Sequence, residues 1–186
     1  MRAAVLRAPG PIDDQVRLSL QELSLPEPGP GQVRLRVEAC GVCHTDLHVV
    51  EAELPPLGRP VVPGHQVVGR VESVGAGADP ALLGQRVGLG WLGWTDGTCR
   101  HCQAGQENLC LAARFTGYQV NGGYAEACLA DASFVYPLPD AANPPGPDSG
   151  HVVPGQLAPG AVEPARLAVA AGAVGPAQPA QADALP

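Results

Sequence analysis

The sequence of 186 residues has few aromatic side chains, no cluster of basic residues and no apolar run long enough to cross a membrane. Aromatic residues make up 4%, and the formal net charge is −7. A nucleic-acid partner is not expected, because phosphate binding needs clustered Lys and Arg. The opening residues lack the apolar segment of a secretory signal, so we expect no membrane association and a cytoplasmic location.

Six cysteines stand out against this composition. In a reducing cytoplasm clustered thiols are typical of metal sites or redox centres, whereas disulfides belong to secreted chains. Metal ligation is therefore the favoured interpretation, and a disulfide framework is the alternative.

The abundance of Gly (24) and Pro (21) favours short strands and turns over long helices. The segment Gln32–Ala39 alternates apolar and charged residues with the period of a half-buried strand. Only Thr45–Glu53 has a helical pattern. The sequence predicts a small, mainly β barrel. Further strands are predicted at Met1–Leu6, Val67–Val74, Arg86–Leu89 and Tyr124–Leu129.

The composition changes near Asp140. From residue 141 to residue 186, more than half of the residues are Ala, Gly or Pro and none is aromatic, which is typical of disorder. We therefore predict a folded domain over residues 1–140 and an unstructured low-complexity tail over residues 141–186.

Two stretches carry possible metal ligands. In the first, Cys40 and Cys43 form a C-x₂-C pair, and His65 follows later. Taken alone, the pair is also compatible with two buried thiols in a core. In the second, Cys99 and Cys102 form another C-x₂-C pair, and Cys110 follows after seven residues. Three cysteines on one glycine-rich loop do not pack a core, and a structural zinc site closes with four ligands.

Four motifs follow one another in order: CGVCHTDLHV (40–49), PGHQVVGRVESVG (63–75), the cysteine lobe (about 91–113) and FTGYQVNGGYAE (115–126). Together they resemble the N-terminal half of zinc-dependent medium-chain alcohol dehydrogenases, over about residues 1–140. The resemblance implies a GroES-like, partly open β-barrel with short helices and a zinc-binding lobe. It also implies small alcohols, aldehydes or ketones as substrates, zinc and NAD(P) as cofactors, and a possible oligomer.

By the same resemblance, Cys43 and His65 match two ligands of the catalytic zinc, and Asp46 matches the carboxylate that orients the histidine. Thr45 and His48 match the relay that carries the alcohol proton to solvent.

Three departures from the family pattern change what we expect. Gln66 stands where the family has Glu, so the amide brings no charge. No cysteine follows Cys128, so the third catalytic ligand is missing from its usual place, and His151 or Asp148 is a weaker alternative. Asp96 stands three residues before Cys99, where the family has the first lobe cysteine. Because a carboxylate can bind zinc, Asp96 is predicted as the fourth lobe ligand.

No dinucleotide-binding unit of strand, glycine-rich turn and helix is predicted; the Gly75–Gly77 pair lies in a strand-and-turn context. We therefore expect a truncated or frameshifted alcohol dehydrogenase that is inactive as this chain alone. The alternative is a non-catalytic zinc-binding module or interaction protein.

Four further residues are given structural interpretations. Cys128 is expected in the core, and His101 is expected to be a solvated loop residue that does not bind metal. Trp91 and Trp94 are expected to pack against the lobe.

Overall fold

A computed structural model describes residues 1–11 and 17–138, and the backbone of residues 151–152. The predicted domain boundary at residue 140 falls outside the described residues, as does nearly all of the predicted tail.

The described chain is built from short strands, with two short helices. The elements are β1 (Arg2–Leu6), β2 (Leu18–Glu22), β3 (Gln32–Gly41), α1 (His44–Val50), β4 (Gln66–Val74), β5 (Arg86–Leu89), β6 (Leu92–Trp94), α2 (Arg100–Gln103), β7 (Arg114–Phe115), β8 (Ala127–Asp131), β9 (Val135–Pro137) and β10 (His151–Val152). Single 3₁₀ turns lie at Pro80–Leu82, Glu107–Leu109 and Ala132–Phe134. None of the helices in the described part is long and apolar enough to span a membrane.

The main sheet has the order β10-β3-β4-β5-β9, and β8 pairs with the first half of β3. All of these pairings are antiparallel. Strands β1 and β2 form a separate antiparallel pair, and so do β6 and β7. The sheet of the described residues does not close, which confirms the prediction of a mainly β, partly open GroES-like architecture.

Strand β3 forms the centre of the core. Val33, Leu35 and Val37 are buried on its inner face, at 0%, 0% and 4% exposure. Arg34 and Arg36 alternate with them and pair with a glutamate of β4 on the outer face. The alternation predicted from the sequence is confirmed. After β3 ends at Gly41, the chain continues into α1.

The strand predicted at Tyr124–Leu129 is displaced. Strand β8 begins at Ala127, because the residues before it bond to β1; Glu126 is the point of change, since its carbonyl accepts the Val37 N–H of β3 at 2.9 Å. The Ala4 N–H donates to the Tyr124 carbonyl at 2.8 Å, and the Glu126 N–H donates to the Arg2 carbonyl at 3.1 Å. The chain thus switches partners within what looks like one strand in the sequence.

All six cysteines lie in the described residues, and none forms a disulfide. Cys128 is 2% exposed, and burial raises the pKa of its thiol to about 12. The prediction of a core thiol is confirmed. Burial also raises the pKa of Cys40, with smaller contributions from the charges of neighbouring groups, so both thiols stay protonated at neutral pH.

Two candidate metal centres

The first centre joins the start of α1 to the loop before β4. Cys43 is the residue that precedes the first turn of α1, and its Sγ lies 3.3 Å from His65 Nε2. The two residues are 22 positions apart in sequence, and the antiparallel pairing of β3 with β4 brings them together. His65 is only 6% exposed. A thiol and an imidazole nitrogen, both favoured zinc donors, therefore face each other.

Asp46 holds this arrangement in place. One carboxylate oxygen accepts the Cys43 backbone N–H at 2.9 Å, and the other accepts the Gly64 N–H at 3.2 Å. The second oxygen also lies 3.3 Å from His65 Nδ1. The carboxylate is 4% exposed. Nδ1 of the His65 ring faces Asp46, so Nε2 faces Cys43. A carboxylate that contacts one ring nitrogen in this way can orient the other, as predicted for Asp46.

Gly64 permits the close packing behind His65. Its φ is +94°, and a Cβ at this position would lie 2.5 Å from Tyr124 Cδ1 and 2.8 Å from Cys40 Sγ. Tyr124 is largely buried at this position. Burial raises the pKa of its hydroxyl, and the nearby Asp46 charge and Cys40 raise it further. A glycine is therefore required for two reasons, the backbone conformation and the lack of space.

We expect Gly64→Ala to destabilise the fold by about 2–4 kcal/mol, as the sum of left-handed strain and overpacking. Gly58→Ala is the matched control, since Gly58 has φ +67° but no atom within 4 Å of the added methyl. The control should lose only about 1 kcal/mol. Urea unfolding measures both, and equal losses would show that the predicted clash is absent.

The predicted relay residues lie together on α1. Thr45 and His48 are three positions apart, which makes them neighbours on one helix face. His48 Nδ1 contacts the Glu53 carboxylate, and its ring packs edge-on against His44 with centroids 4.7 Å apart. The predicted helix was expected to run to Glu53, but α1 ends at Val50 and Glu53 follows the turn after it; the sequence did not indicate the contact of Glu53 with His48. The His48 side chain is 36% exposed and therefore accessible to solvent.

The aromatic side chains near the lobe have different partners. The Trp94 ring contacts Arg114, whose guanidinium carbon lies 4.8 Å from the ring centroid. Trp91 stacks on Phe115 at 4.9 Å, and its ring also meets His65 edge-on at 5.0 Å. Trp91 therefore connects the lobe with the first centre, a contact that the sequence did not indicate.

The second centre is the cysteine lobe. The ligand atoms of its four candidate donors all lie within 4.8 Å of one another. The donors are Asp96, Cys99, Cys102 and Cys110. A tetrahedron with Zn–S bonds of about 2.3 Å has edges of about 3.8 Å, so small side-chain rotations bring this set to zinc geometry. His101 lies outside the set and accepts a hydrogen bond from Arg100 Nε at 3.3 Å; it is a half-buried residue of α2, so the prediction of a solvated loop residue is wrong.

Asp96 is an ionised carboxylate with one oxygen already engaged. Its Oδ1 accepts the backbone N–H groups of Cys99 and Thr98, each at 2.9 Å. These bonds lower the pKa of Asp96 to about 2. Since Oδ1 is held by the backbone, Oδ2 is the oxygen left to bind a metal. Asp96 could be predicted from the sequence because it lies three residues before Cys99, the position at which the family has a cysteine.

The lobe thiols differ in acidity. A hydrogen bond from the Cys102 backbone lowers the pKa of Cys99. A hydrogen bond with Thr95 lowers the pKa of Cys102, but desolvation and the thiols of Cys99 and Cys110 outweigh it and raise the pKa to about 11. The Sγ atoms of Cys99 and Cys102 are 3.5 Å apart. Two thiolates this close would repel each other, and a divalent cation between them would offset that repulsion.

One glycine pattern escaped the sequence analysis. Gly88, Gly90 and Gly93 have the G-x-G-x-x-G spacing of a dinucleotide-binding turn. In the structure they join β5 to β6, and no helix begins there. Without a helix N-terminus to receive the phosphates, this segment is a strand connection.

Comparison with known proteins gives a consistent result. The family model described as "Alcohol dehydrogenase GroES-like domain" matches residues 29–140. A probable alcohol dehydrogenase, AdhA, of Mycobacterium tuberculosis is 44% identical over 144 residues, which is 75% of this chain and 41% of that protein.

Solved structures agree with the sequence matches. A cobalt- and zinc-bound thermostable alcohol dehydrogenase from Pyrobaculum aerophilum superposes with a TM-score of 0.67 at 32% identity, over 75% of this chain and 41% of that one. A putative zinc-binding dehydrogenase from Sinorhizobium meliloti, bound to NADP, gives 0.65 at 32% identity, over 77% and 40%. The chain thus spans about 40% of the length of these relatives. With its fold, both donor clusters and the family match in agreement, the chain belongs to the zinc-dependent alcohol dehydrogenase family through its GroES-like domain.

Proposed function

We propose that the chain is the zinc- and substrate-binding part of an NAD(P)-linked alcohol dehydrogenase for small alcohols, aldehydes or ketones. The observation that carries the proposal is the Cys43–His65 pair, with donor atoms 3.3 Å apart and Asp46 behind the imidazole. The two zinc- or NADP-bound relatives support the cofactor assignment at the level of the family.

The donor chemistry of the first centre fits zinc. Cys43 and His65 supply a sulfur and a nitrogen, and Asp46 orients the imidazole. A zinc ion held there would act as a Lewis acid that makes an alcohol hydroxyl easier to deprotonate.

Thr45 and His48, three positions apart on α1, are the residues proposed to take that proton away. The Thr45 hydroxyl both accepts and donates a hydrogen bond, so it can pass a proton to His48. His48 is partly exposed and its Nδ1 is held by Glu53, which leaves Nε2 for the exchange. An imidazole is suited to this step because its ordinary pKa lies near neutrality.

The lobe fits a structural zinc site. It offers four donors and no open position, which is the pattern of structural and not catalytic zinc. Asp96, Cys99, Cys102 and Cys110 are the proposed ligands.

A cobalt titration tests the proposal. Cobalt(II) added to the metal-depleted chain should give visible bands from two centres, and a small alcohol should shift only one set. Cys43→Ser should remove the alcohol-sensitive bands, whereas His44→Ala, an exposed neighbour on the same helix, should keep them. Alcohol-insensitive bands in the unmodified chain would contradict a substrate-binding centre.

A non-catalytic zinc-binding module is the second candidate. It is favoured by the fold, since the described residues form antiparallel sheets and no nucleotide-binding unit. An increase of NADH fluorescence on adding the chain would favour the dehydrogenase. No change, together with unaltered cobalt bands on addition of alcohol, would favour the module.

Asp96→Cys should tighten metal binding by the lobe, because it restores the four-thiolate set that zinc favours in structural sites. Competition with a chromophoric chelator measures the affinity. Asp79→Cys is the matched control: Asp79 also accepts a backbone N–H in a turn, but it lies outside both clusters. An unchanged or weaker affinity of the Asp96→Cys chain would show that Asp96 does not face the metal.

A further inference from the structure

The imidazole of His65 packs against an aromatic side chain as well as against the polar groups of the first centre. The Trp91 ring meets it edge-on, with centroids 5.0 Å apart and planes at 75°. Trp91 also packs against the apolar cluster that contains Val49 and Val50 of α1. It therefore borders both elements of the first centre, the loop before β4 and α1. A polar contact at one edge leaves the imidazole free to tilt, and a large side chain packed beside it restricts that motion.

The partners of Trp91 lie in the segment that follows the lobe. Its ring stacks on Phe115 at 4.9 Å and lies nearly parallel to Tyr118 at 6.3 Å, with planes 11° apart in both cases. Its carbonyl accepts the Thr116 N–H at 2.9 Å. Trp91 is the first residue of the lobe, whereas these three partners follow its last residue. The stack therefore requires the two ends of the lobe to stay together.

A short ladder joins the two ends of the lobe. Strand β6 has three residues and β7 has two, and they pair at Leu92–Phe115 and Trp94–Arg114. A two-stranded ladder this short contributes little stability by itself. The four lobe donors lie between the two strands. An ion bound by these donors would close the loop from residue 96 to residue 110 and would favour the pairing of its ends.

Thr95, directly after β6, joins this ladder to a donor through a hydrogen bond with the Cys102 side chain. We propose that Trp91 is a positioning residue that couples the two centres. A metal in the lobe stabilises the ladder, the ladder holds the Trp91 ring against His65, and the first centre then binds its metal more tightly. Coupling between binding sites is reciprocal and usually amounts to about 5- to 150-fold, so a metal in the first centre strengthens the lobe site equally. The inference rests on the metal proposed for each centre.

Chelator competition on the full 186-residue chain measures the coupling as the zinc affinity of the first centre. Cys99→Ser, which empties the lobe, should weaken this affinity by about 5- to 150-fold. Trp91→Ala should weaken it to a similar extent, while the lobe keeps its ion and so shows that the chain is folded. Cys99→Ser added to Trp91→Ala should cause little further loss, because both changes break the same connection.

Two further variants separate this connection from general destabilisation. Trp91→Phe keeps an aromatic ring beside His65 and should recover most of the affinity that Trp91→Ala loses. Trp94→Phe is the matched control, since Trp94 lies in the same ladder and its ring contacts Arg114. It should leave the zinc affinity of the first centre unchanged. An equal loss in Trp94→Phe and Trp91→Ala would overturn the assignment to Trp91.

The fluorescence of Trp91 reports the connection without a metal in the first centre. The sequence has two tryptophans, so Trp94→Phe leaves Trp91 as the single emitter. In a chain that also carries Cys43→Ser, zinc should bind to the lobe alone. The Trp91 emission should then shift to shorter wavelength, because the ring becomes more enclosed. An emission spectrum that does not change when zinc binds would overturn the inference.

Cys43→Ser also separates this inference from the proposed function. If Cys43→Ser removes the ion of the first centre and Cys99→Ser leaves its affinity unchanged, the centres are not coupled and the proposed function stands. A loss of affinity in Trp91→Ala without a loss in Cys99→Ser likewise contradicts the coupling. If Cys43→Ser does not change zinc binding, the first centre holds no metal and both proposals fail.

Discussion

Cys99→Ser is expected to abolish zinc binding by the lobe and to unfold residues 91–113 locally. The lobe has little apolar packing of its own: Leu109 is 49% exposed and Leu111 is fully exposed, while Cys110 is buried among the donor atoms. We therefore expect metal binding to supply most of the stability of the lobe; in zinc-finger peptides the apparent free energy of zinc binding is about 10–16 kcal/mol.

Native mass spectrometry under mild chelation measures this effect. The unmodified chain should keep about one zinc, because the lobe closes its site within one short loop and loses little chain entropy. The Cys99→Ser chain should keep none. His101→Ala, between two of the donors, should retain the ion. A Cys99→Ser chain that still holds one zinc under these conditions would refute the assignment of the lobe.

The 186-residue chain on its own is expected to produce no NADH from alcohols. Hydride transfer requires the nicotinamide ring to be held close to the reacting carbon, and this positioning provides much of the catalytic effect. The described residues contain no unit of strand, glycine-rich turn and helix that would hold the dinucleotide. Thr45 and His48 can remove a proton, but without a bound hydride acceptor the oxidation does not proceed.

The assay follows NADH absorbance with zinc-loaded protein, NAD and a series of small alcohols. A full-length zinc alcohol dehydrogenase assayed in parallel shows that the conditions support turnover. Rates near those of ordinary enzymes, about 1–10³ per second, would contradict the prediction and would require a cofactor site elsewhere in the chain.

Sequence reasoning succeeded where the signal is local. The alternation along β3 and the three-residue step from Asp96 to Cys99 depend only on neighbouring residues, and both correspond to what the structure shows. The change of partner at Tyr124 could not be predicted, because it depends on hydrogen bonds to β1, which lies at the other end of the chain.

The contact between Trp91 and His65 could not be predicted for the same reason, because it joins the segment before β6 to the loop before β4. A sequence gives the residue types at such positions, but the register of distant strands decides which of them meet.

The three contacts of Asp46 have a consequence for metal binding. They join the backbones of Cys43 and Gly64 and the ring of His65 through one carboxylate. We therefore expect that a metal bound by Cys43 and His65, as proposed above, would require little reorganisation of the chain. Amide hydrogen exchange would show this as slow exchange at Cys43 and Gly64 in the metal-free protein, since both N–H groups are already bonded to the carboxylate.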